Sequence, residues 1–346
     1  MKILIIRGGF GDVYEPAWAK SLTKLGHQVH LFESHQYTLP SVLGRLERRF
    51  LIGLSIQTIR KKSIEFARNF KPDIILLYQG HYHNLESIKE LNKIAWTTGY
   101  HNDNPFSALE DGRHKNRYRH LTPSLAGYNS YHVYRDCNIE QFKNAGIKNV
   151  KTLMSYYIPE IDHPFNAYSS DLGADVIFAG HPEKDGRELF LNQLIRDGFN
   201  LKLYGAGRFW KPLIENDLRG RLNNVRVLNS NDYRVALNSS KICLSFFSKW
   251  NRDQYTRRVF EIPAMKKFLL TERTEVMQSL YKEGIEAEYF NTPEELTDKI
   301  KFYLKNEVVR NKIAQAGYNR CTTSGYDINS RMNQWINDIK QWKKEN

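Results

Sequence analysis

Short apolar runs, each followed by a turn and then a helical stretch, recur along the chain, and this alternation restricts the fold to a parallel α/β architecture. The first run, Lys2 to Ile6, is rich in β-branched residues and ends in Gly8-Gly9-Phe10-Gly11. A helical stretch from Pro16 to Leu25, then Gly26 and a second run, Val29 to Phe32, complete a strand–loop–helix–strand unit. Further strands are expected at Ile74 to Tyr78 and at Lys93 to Thr97, after a long basic helical region from Val42 to Phe70. The stretch Pro159 to Ser170, rich in Pro, Asp and Ser, reads as a linker. Beyond it the pattern restarts, with strands expected at Ala174 to Ala179, Leu201 to Tyr204, Val225 to Leu228, Ile242 to Phe247 and Phe268 to Leu270. Helices are expected between them at Gly186 to Asp197, Asp232 to Ser239 and Thr256 to Met265.

A length of 346 residues suits two domains of about 150 residues each. The expected fold is therefore α/β, with two Rossmann-like doubly wound domains facing each other across a cleft. Their expected extents are 1–165 and 170–325, with a C-terminal helix over 326–346 packing back on the N-terminal domain. Open parallel sheets bind ligands beyond the carboxyl ends of their strands, so the cleft is the expected site.

Fifty-one Lys and Arg face 38 Asp and Glu, a net charge of +13. Such a balance favours an anionic partner, whether nucleotide diphosphate, acidic glycan or membrane surface. Nucleic acid is not expected, because no DNA- or RNA-reading motif accompanies the charge. Three dispersed cysteines, Cys137, Cys243 and Cys321, build neither a disulfide framework nor a zinc site and suit a reducing compartment. The start, Met1 to Ile6, is too short for a signal-peptide core, and no later stretch approaches a membrane span. A soluble, cytoplasmic protein is expected. Between Arg45 and Lys62, Arg48 and Arg49 flank Phe50, Leu51, Ile52 and Leu54, which suits either a solvated helix face or peripheral contact with the inner face of a membrane.

Two loops of the N-terminal half could carry chemistry. Gly8, Gly9 and Gly11 stand between strand and helix, where bare backbone can approach phosphate. Gly9 and Gly11 are candidate ligand-lining residues, with a simple tight turn as the alternative. A dinucleotide fingerprint wants a small residue three positions after Gly11, where this chain has Tyr14; Glu33 could play the ribose-holding acid. An NAD- or FAD-binding oxidoreductase is therefore a less favoured reading. The second loop is His101-Asn102-Asp103-Asn104-Pro105, beyond a strand end. His101 and Asp103 are candidates for a catalytic base or a sugar-hydroxyl acceptor, and a turn accounts for them equally well. His81 and His83 have no metal-ligand spacing with Asp103, and no metal is expected.

The most specific stretch is Tyr255 to Thr274, YTRRVFEIPAMKKFLLTERT. It reads as a short helix bearing Arg257, Arg258 and Glu261, then a strand ending at Thr271-Glu272. Arg258 and Glu261, three apart, share a helix face, as a surface ion pair or as functional groups beside a cleft. There a carboxylate can grip ribose hydroxyls while a guanidinium neutralises a departing diphosphate.

The stretch resembles the CgeB-like, spore-maturation-type branch of the GT-B glycosyltransferases, whose C-terminal domain carries a pattern like R-x-F-E-I-P-A-x-G-x-F-L-L-T-E. Here the pattern is met by Arg258, Phe260, Glu261, Ile262, Pro263, Ala264, Phe268, Leu269, Leu270, Thr271 and Glu272. The segments Glu283-Gly284, Tyr289-Phe290, Glu294-Glu295-Leu296 and Ile313-Ala314-Gln315-Ala316-Gly317 add to the likeness, which covers roughly residues 170 to 325. The family's glycine after the alanine is taken as replaced by Lys267. The resemblance implies a GT-B fold and a metal-independent transfer of sugar from a nucleoside diphosphate sugar to a hydroxyl acceptor, glycan or lipid-linked; the excess of basic residues suits an acidic one. It implies that Glu261 binds the nucleotide ribose and Arg258 the diphosphate, with Arg257 beside them. Gly180, His181, Gly205 and Gly207 fall where the family's base and phosphate loops occur. Asp253, eight positions before Glu261, stands in for the first acid of related retaining enzymes. A non-catalytic surface- or spore-assembly protein on the same fold is the alternative.

Overall fold

A computed structural model describes residues 1–8, 13–110 and 115–345. The chain divides into two compact units, one of residues 1–154 with 328–346 and the other of residues 155–327.

In the first unit six parallel strands form one sheet: β1 (Lys2–Ile6), β2 (Gln28–Phe32), β3 (Ile74–Tyr78), β4 (Trp96–His101), β5 (Ser130–Val133) and β6 (Asn149–Thr152). Their order is β2-β1-β3-β4-β5-β6. β1 pairs with β3 in the register Ile3 to Ile74 through Ile6 to Leu77. Apart from exposed Lys2 at the start of β1, both strands are apolar on both faces and buried between helical layers, as central parallel strands require. The C-terminal helix Ile328–Glu345 belongs to this unit. Its Trp335 packs against Trp18 of the helix Tyr14–Lys24 at 6.0 Å between ring centroids, and Trp18 in turn meets Tyr78 and Tyr100 at the sheet. Asp338 fastens the same helix to the sheet, 3.2 Å from His132 on β5 and 2.6 Å from Lys151 on β6.

In the second unit five parallel strands, β7 (Val176–Ala179), β8 (Leu201–Tyr204), β9 (Ile242–Ser245), β10 (Leu269–Glu272) and β11 (Glu288–Phe290), take the order β11-β10-β9-β7-β8. Phe178, Leu203, Leu244, Phe246 and Leu270 centre its core. The chain runs from β7 outward to β8, then crosses to β9 on the other side. The strand order therefore reverses beside β7, which opens a crevice at the carboxyl ends of β7 and β9. Pro159 to Ser170 is fastened onto this unit rather than extended: Asn238 donates to the carbonyls of Phe165 and Ala167.

Several elements depart from the sequence expectation. Val225 to Leu228 is no strand; it makes one backbone bond, Gly205 N–H to Arg226 O, and joins no ladder. The basic helical region is two helices, Val42–Phe50 and Leu54–Phe70, broken where Leu51 turns left-handed (φ 54°). The expected strand at Lys93 begins only at Trp96, because Lys93 caps the preceding helix Leu85–Asn92. Among the described residues no helix is long and apolar enough to cross a membrane.

Candidate functional site

The helix Arg258–Ala264 follows β9 and delivers its first turn to the crevice beside β7. Glu261 turns inward and is only 6% exposed. Its partner is not Arg258 but Arg257, four residues back, whose Nη1 lies 2.7 Å from Glu261 Oε1. The other carboxylate oxygen accepts from the Tyr233 hydroxyl at 3.1 Å. Arg257 also reaches Asp162 through Nη2 at 2.8 Å, so one guanidinium bridges two buried carboxylates. Asp162 accepts the Ile158 N–H at 2.7 Å as well. Burial, and then the charge of Glu261, push the Asp162 carboxyl up to about 6, although Arg257 pulls it the other way. Of the two alternatives for Arg258, the ion pair with Glu261 is not formed; Arg257 takes it, at the i,i+4 spacing that long side chains span well.

That leaves Arg258 for the crevice. Its Nε donates to the carbonyl of Ala179, the last residue of β7, at 2.6 Å, and its guanidinium sits 5.8 Å from the Phe178 ring. The two terminal amino groups donate to no protein partner among the described residues. A Cβ on Gly180 would strike the Phe178 ring at 2.6 Å and lie 3.1 Å from Arg258 Nη2, so glycine here gives room to both the ring and the guanidinium. A delocalised cation pinned by one N–H, with two amino groups over, suits bidentate recognition of phosphate oxygens.

A second ring of charges sets the loop after β7. Arg187 is buried and held by Asp185 at 2.8 and 2.6 Å, and it donates to the carbonyl of His181 at 3.0 Å. The His181 side chain is exposed. Ser248, just past β9, donates to Glu183 at 2.5 Å, and Glu272, at the end of β10, accepts the Phe247 N–H. Burial raises the Glu272 carboxyl. Asp253 follows the left-handed Arg252 (φ 56°) and is half-buried, its N–H donating to Ser248 O at 2.8 Å.

Gly205 and Gly207 have a packing reason to be glycine. Gly205 sits at φ 148°, and a Cβ on it would lie 2.2 Å from the Gly180 carbonyl; a Cβ on Gly207 would lie 2.1 Å from the carbonyl of Val225. The Gly180 carbonyl also accepts from Trp210 Nε1 at 3.2 Å, so these residues brace the loop that bears Gly180.

Matching the motif residue by residue moves its missing glycine from Lys267 to Lys266. The backbone explains why the family has glycine there: Lys266 is left-handed, φ 58°. Lys267 instead donates from Nζ to Asn238 O at 2.7 Å, at the amino end of β10 and away from the crevice.

In the first unit, Gly9 and Gly11 lie outside the described residues. Glu33 is occupied by Arg7 Nη1, at 2.9 and 2.8 Å from its two oxygens. His101 is 1% exposed, packed against His81 and Tyr118 with ring centroids 5.1 and 5.5 Å apart. Its Nδ1 accepts the Asp103 N–H at 2.9 Å, and burial holds its pKa well below the usual histidine value, so the ring is neutral and set inside the unit. Asp103 is half-exposed and pairs with Arg117 at 3.0 Å. Among the described residues no group of three or more His, Cys, Asp or Glu side chains is placed to hold a metal ion.

Sequence reasoning reached Arg257, Arg258, Glu261 and Gly180 but missed Asp162, Tyr233, Asp185 and Arg187. The last pair had a local signal in Asp185-Gly186-Arg187 following a strand.

Residues 187–337 match a family model described as glycosyl transferase-like. No curated protein sequence matches the chain. Among solved structures, sucrose-phosphate synthase from Thermosynechococcus elongatus superposes with a TM-score of 0.72 at 10% identity, covering 100% of both chains. A glycosyltransferase from Rickettsia africae gives 0.67 at 15% identity, over 100% of this chain and 99% of that one. Anabaena HepE in complex with UDP and glucose gives 0.66 at 12% identity, over 99% of this chain and 100% of that one. At these identities the likeness establishes the fold: two Rossmann-like α/β units of the GT-B type.

Proposed function

We propose that the chain is a glycosyltransferase that moves a sugar from a nucleoside diphosphate sugar to a hydroxyl acceptor. The observation that carries this reading is Arg258. It is a cation anchored on the end of β7 at the strand-order reversal, with two amino groups that meet no hydrogen-bond partner among the described residues and a glycine beside them. The match over residues 187–337 includes this residue, and the neighbour HepE has been solved with UDP and glucose.

The chemistry follows from the charges. Breaking the bond between the sugar and the diphosphate leaves negative charge on the departing phosphate oxygen. Arg258 meets that charge with two N–H donors already in place, so little reorganisation opposes the transition state. Glu261 is paired with Arg257 and steadied by the Tyr233 hydroxyl. A carboxylate offers about four lone-pair sites, and these two donors leave room for ribose hydroxyls. Since Arg258 supplies the cation, transfer is expected to survive chelation of divalent metals. Gly180 and His181 would line the donor, with Gly205 and Gly207 bracing that loop and Asp253 on the sugar side. In the first unit, Asp103 would take the acceptor's proton, and buried His101 would position it through the Asp103 N–H. The acceptor is a glycan or lipid-linked hydroxyl, and none of Cys137, Cys243 and Cys321 forms a disulfide, which suits action in the cytoplasm.

A thermal-shift panel of UDP, GDP, CDP, dTDP, NAD and FAD tests the reading, with UDP tried first. A ligand at a hundred times its dissociation constant stabilises by about 2.7 kcal/mol, a clear shift. Stabilisation by a nucleoside diphosphate is expected. Silence from every nucleotide would favour a non-catalytic surface- or spore-assembly role on the same fold, and a response to NAD or FAD alone would favour an oxidoreductase.

A further inference from the structure

The helix Val42–Phe50 in the first unit is inside out. A helix on a soluble domain normally turns apolar residues to the core and polar ones to water. Here the two residues buried on the protein side are Gly44 and Glu47. Gly44 is pressed so close that a Cβ would lie 1.9 Å from the Leu39 carbonyl. Glu47 caps the next helix, accepting from the Leu54 N–H at 2.7 Å and from the Ser55 N–H and hydroxyl. Arg119 and His120 clasp the helix end through the carbonyls of Phe50 and Leu51. The helix is thus held by polar anchors, and its apolar side chains face outward.

Those side chains form one surface. At 100° per residue Val42, Leu43, Leu46 and Phe50 fall within about 100° of arc, and Ile52 and Leu54 extend it past the turn. Exposure runs from 37% at Phe50 to 70% at Leu54. Seven of the sixteen exposed large apolar residues among the described ones fall between Leu39 and Leu54, while the rest are scattered. Scattered exposed apolar residues are ordinary; a cluster of this kind calls for a partner.

Charge identifies that partner. From Leu39 to Lys62 there are six cations, Arg45, Arg48, Arg49, Arg60, Lys61 and Lys62, and one carboxylate, Glu47, which is turned inward. Arg45 and Arg49 are exposed along the edge of the apolar arc, and Lys61 is exposed on the next helix. Just beyond this stretch exposed Glu65 pairs with Lys62 at 2.9 Å, which leaves cations in excess; an apolar face rimmed by such an excess matches the boundary between anionic headgroups and acyl chains. A second copy of this chain, with its own net charge of +13, would bring the same excess of cations to the contact.

We propose that this face seats the protein on an anionic lipid surface, with the leucines and Phe50 entering the acyl boundary and Arg45 and Arg49 at the headgroups. The proposal stands apart from the donor reading, since it rests on other residues.

Co-sedimentation tests it, using vesicles of phosphatidylcholine alone or mixed equally with phosphatidylglycerol. The wild type is compared with Leu43→Ser/Leu46→Ser and Arg45→Gln/Arg49→Gln, all exposed positions, with thermal unfolding confirming that the variants fold. The expected result is binding to mixed vesicles, weakened roughly tenfold or more in each variant and on phosphatidylcholine alone, because the leucines supply the apolar contact and the arginines the attraction to anionic headgroups. Absence of vesicle binding, or binding indifferent to both double substitutions, overturns the proposal. So does a wild-type dimer that Leu43→Ser/Leu46→Ser dissolves without any vesicle binding, which would assign the face to a second copy. Loss of nucleotide binding in the panel above would leave this result untouched.

Discussion

Arg257 lies 2.7 Å from Glu261 and with its other amino group 2.8 Å from Asp162, so a carboxylate proposed to hold ribose is locked by a cation that also answers to a second, titrating acid. The Asp162 carboxyl is raised to about 6 from an ordinary 3.8. A raised carboxyl favours the folded state when protonated. Its contribution is therefore complete below the unfolded value and is lost as pH rises through about 6. The stability difference between wild type and Asp162→Asn should accordingly favour the wild type more at about pH 4.5 than at about pH 7.5, by as much as about 2–3 kcal/mol. Urea denaturation at the two pH values measures it, and a pH-independent difference would remove Asp162 from the titration.

Tyr233 completes the same lock from the other side of Glu261. Tyr233→Phe keeps the ring and deletes the hydroxyl, leaving a buried charged acceptor one donor short. A loss of about 1–2 kcal/mol of folding stability is expected, since bonds to charged groups exceed the neutral average. Chemical denaturation is the assay; an unchanged midpoint would show that solvent replaces the hydroxyl.

Lys266 carries a left-handed backbone (φ 58°) where the motif has glycine. Lys266→Gly should relieve that conformation, and the gain outweighs the added unfolded-state entropy, for a net stabilisation of up to about 1 kcal/mol. The denaturation midpoint should rise at constant slope. A fall would mean that the lysine side chain stabilises the turn.

Trp335 is fully buried against Trp18, which makes the C-terminal helix part of the first unit's core. Trp335→Ala should cost about 3–5 kcal/mol. Calorimetry would register this as a lowered transition of the first unit, whereas an unaltered melt would mean that the helix is dispensable.

The fold was legible because its central strands advertise themselves. β1, β3, β7 and β9 are apolar on both faces, a pattern only doubly covered parallel strands need. Peripheral strands carry no such mark: β5 is Ser-Tyr-His-Val, β6 Asn-Val-Lys-Thr and β11 Glu-Tyr-Phe, and the sheet beside them, not their composition, makes them strands. Val225 to Leu228 shows the converse, an apolar run with no strand to pair with. The site was legible where it is local. Arg257, Arg258 and Glu261 share one helix turn, but Asp162 lies 95 residues before Arg257 and Tyr233 lies 28 before Glu261. Only the fold brings them together, and spacing along the chain cannot reveal that. Between the two alternatives for Arg258, ion pair or functional group, the sequence could not choose, since both arginines stand within reach of Glu261 and only the Ala179 carbonyl decides which one is diverted.

The most direct test titrates the stabilising nucleoside diphosphate into wild type and Arg258→Ala by calorimetry, with Arg258→Lys as a control for charge alone. Arg258→Ala should weaken binding by tenfold or more, about 1.4 kcal/mol at least, and Arg258→Lys should recover only part of it, because a lysine cannot donate in parallel to two oxygens. Equal affinity in wild type and Arg258→Ala would contradict the placement of the diphosphate at the end of β7.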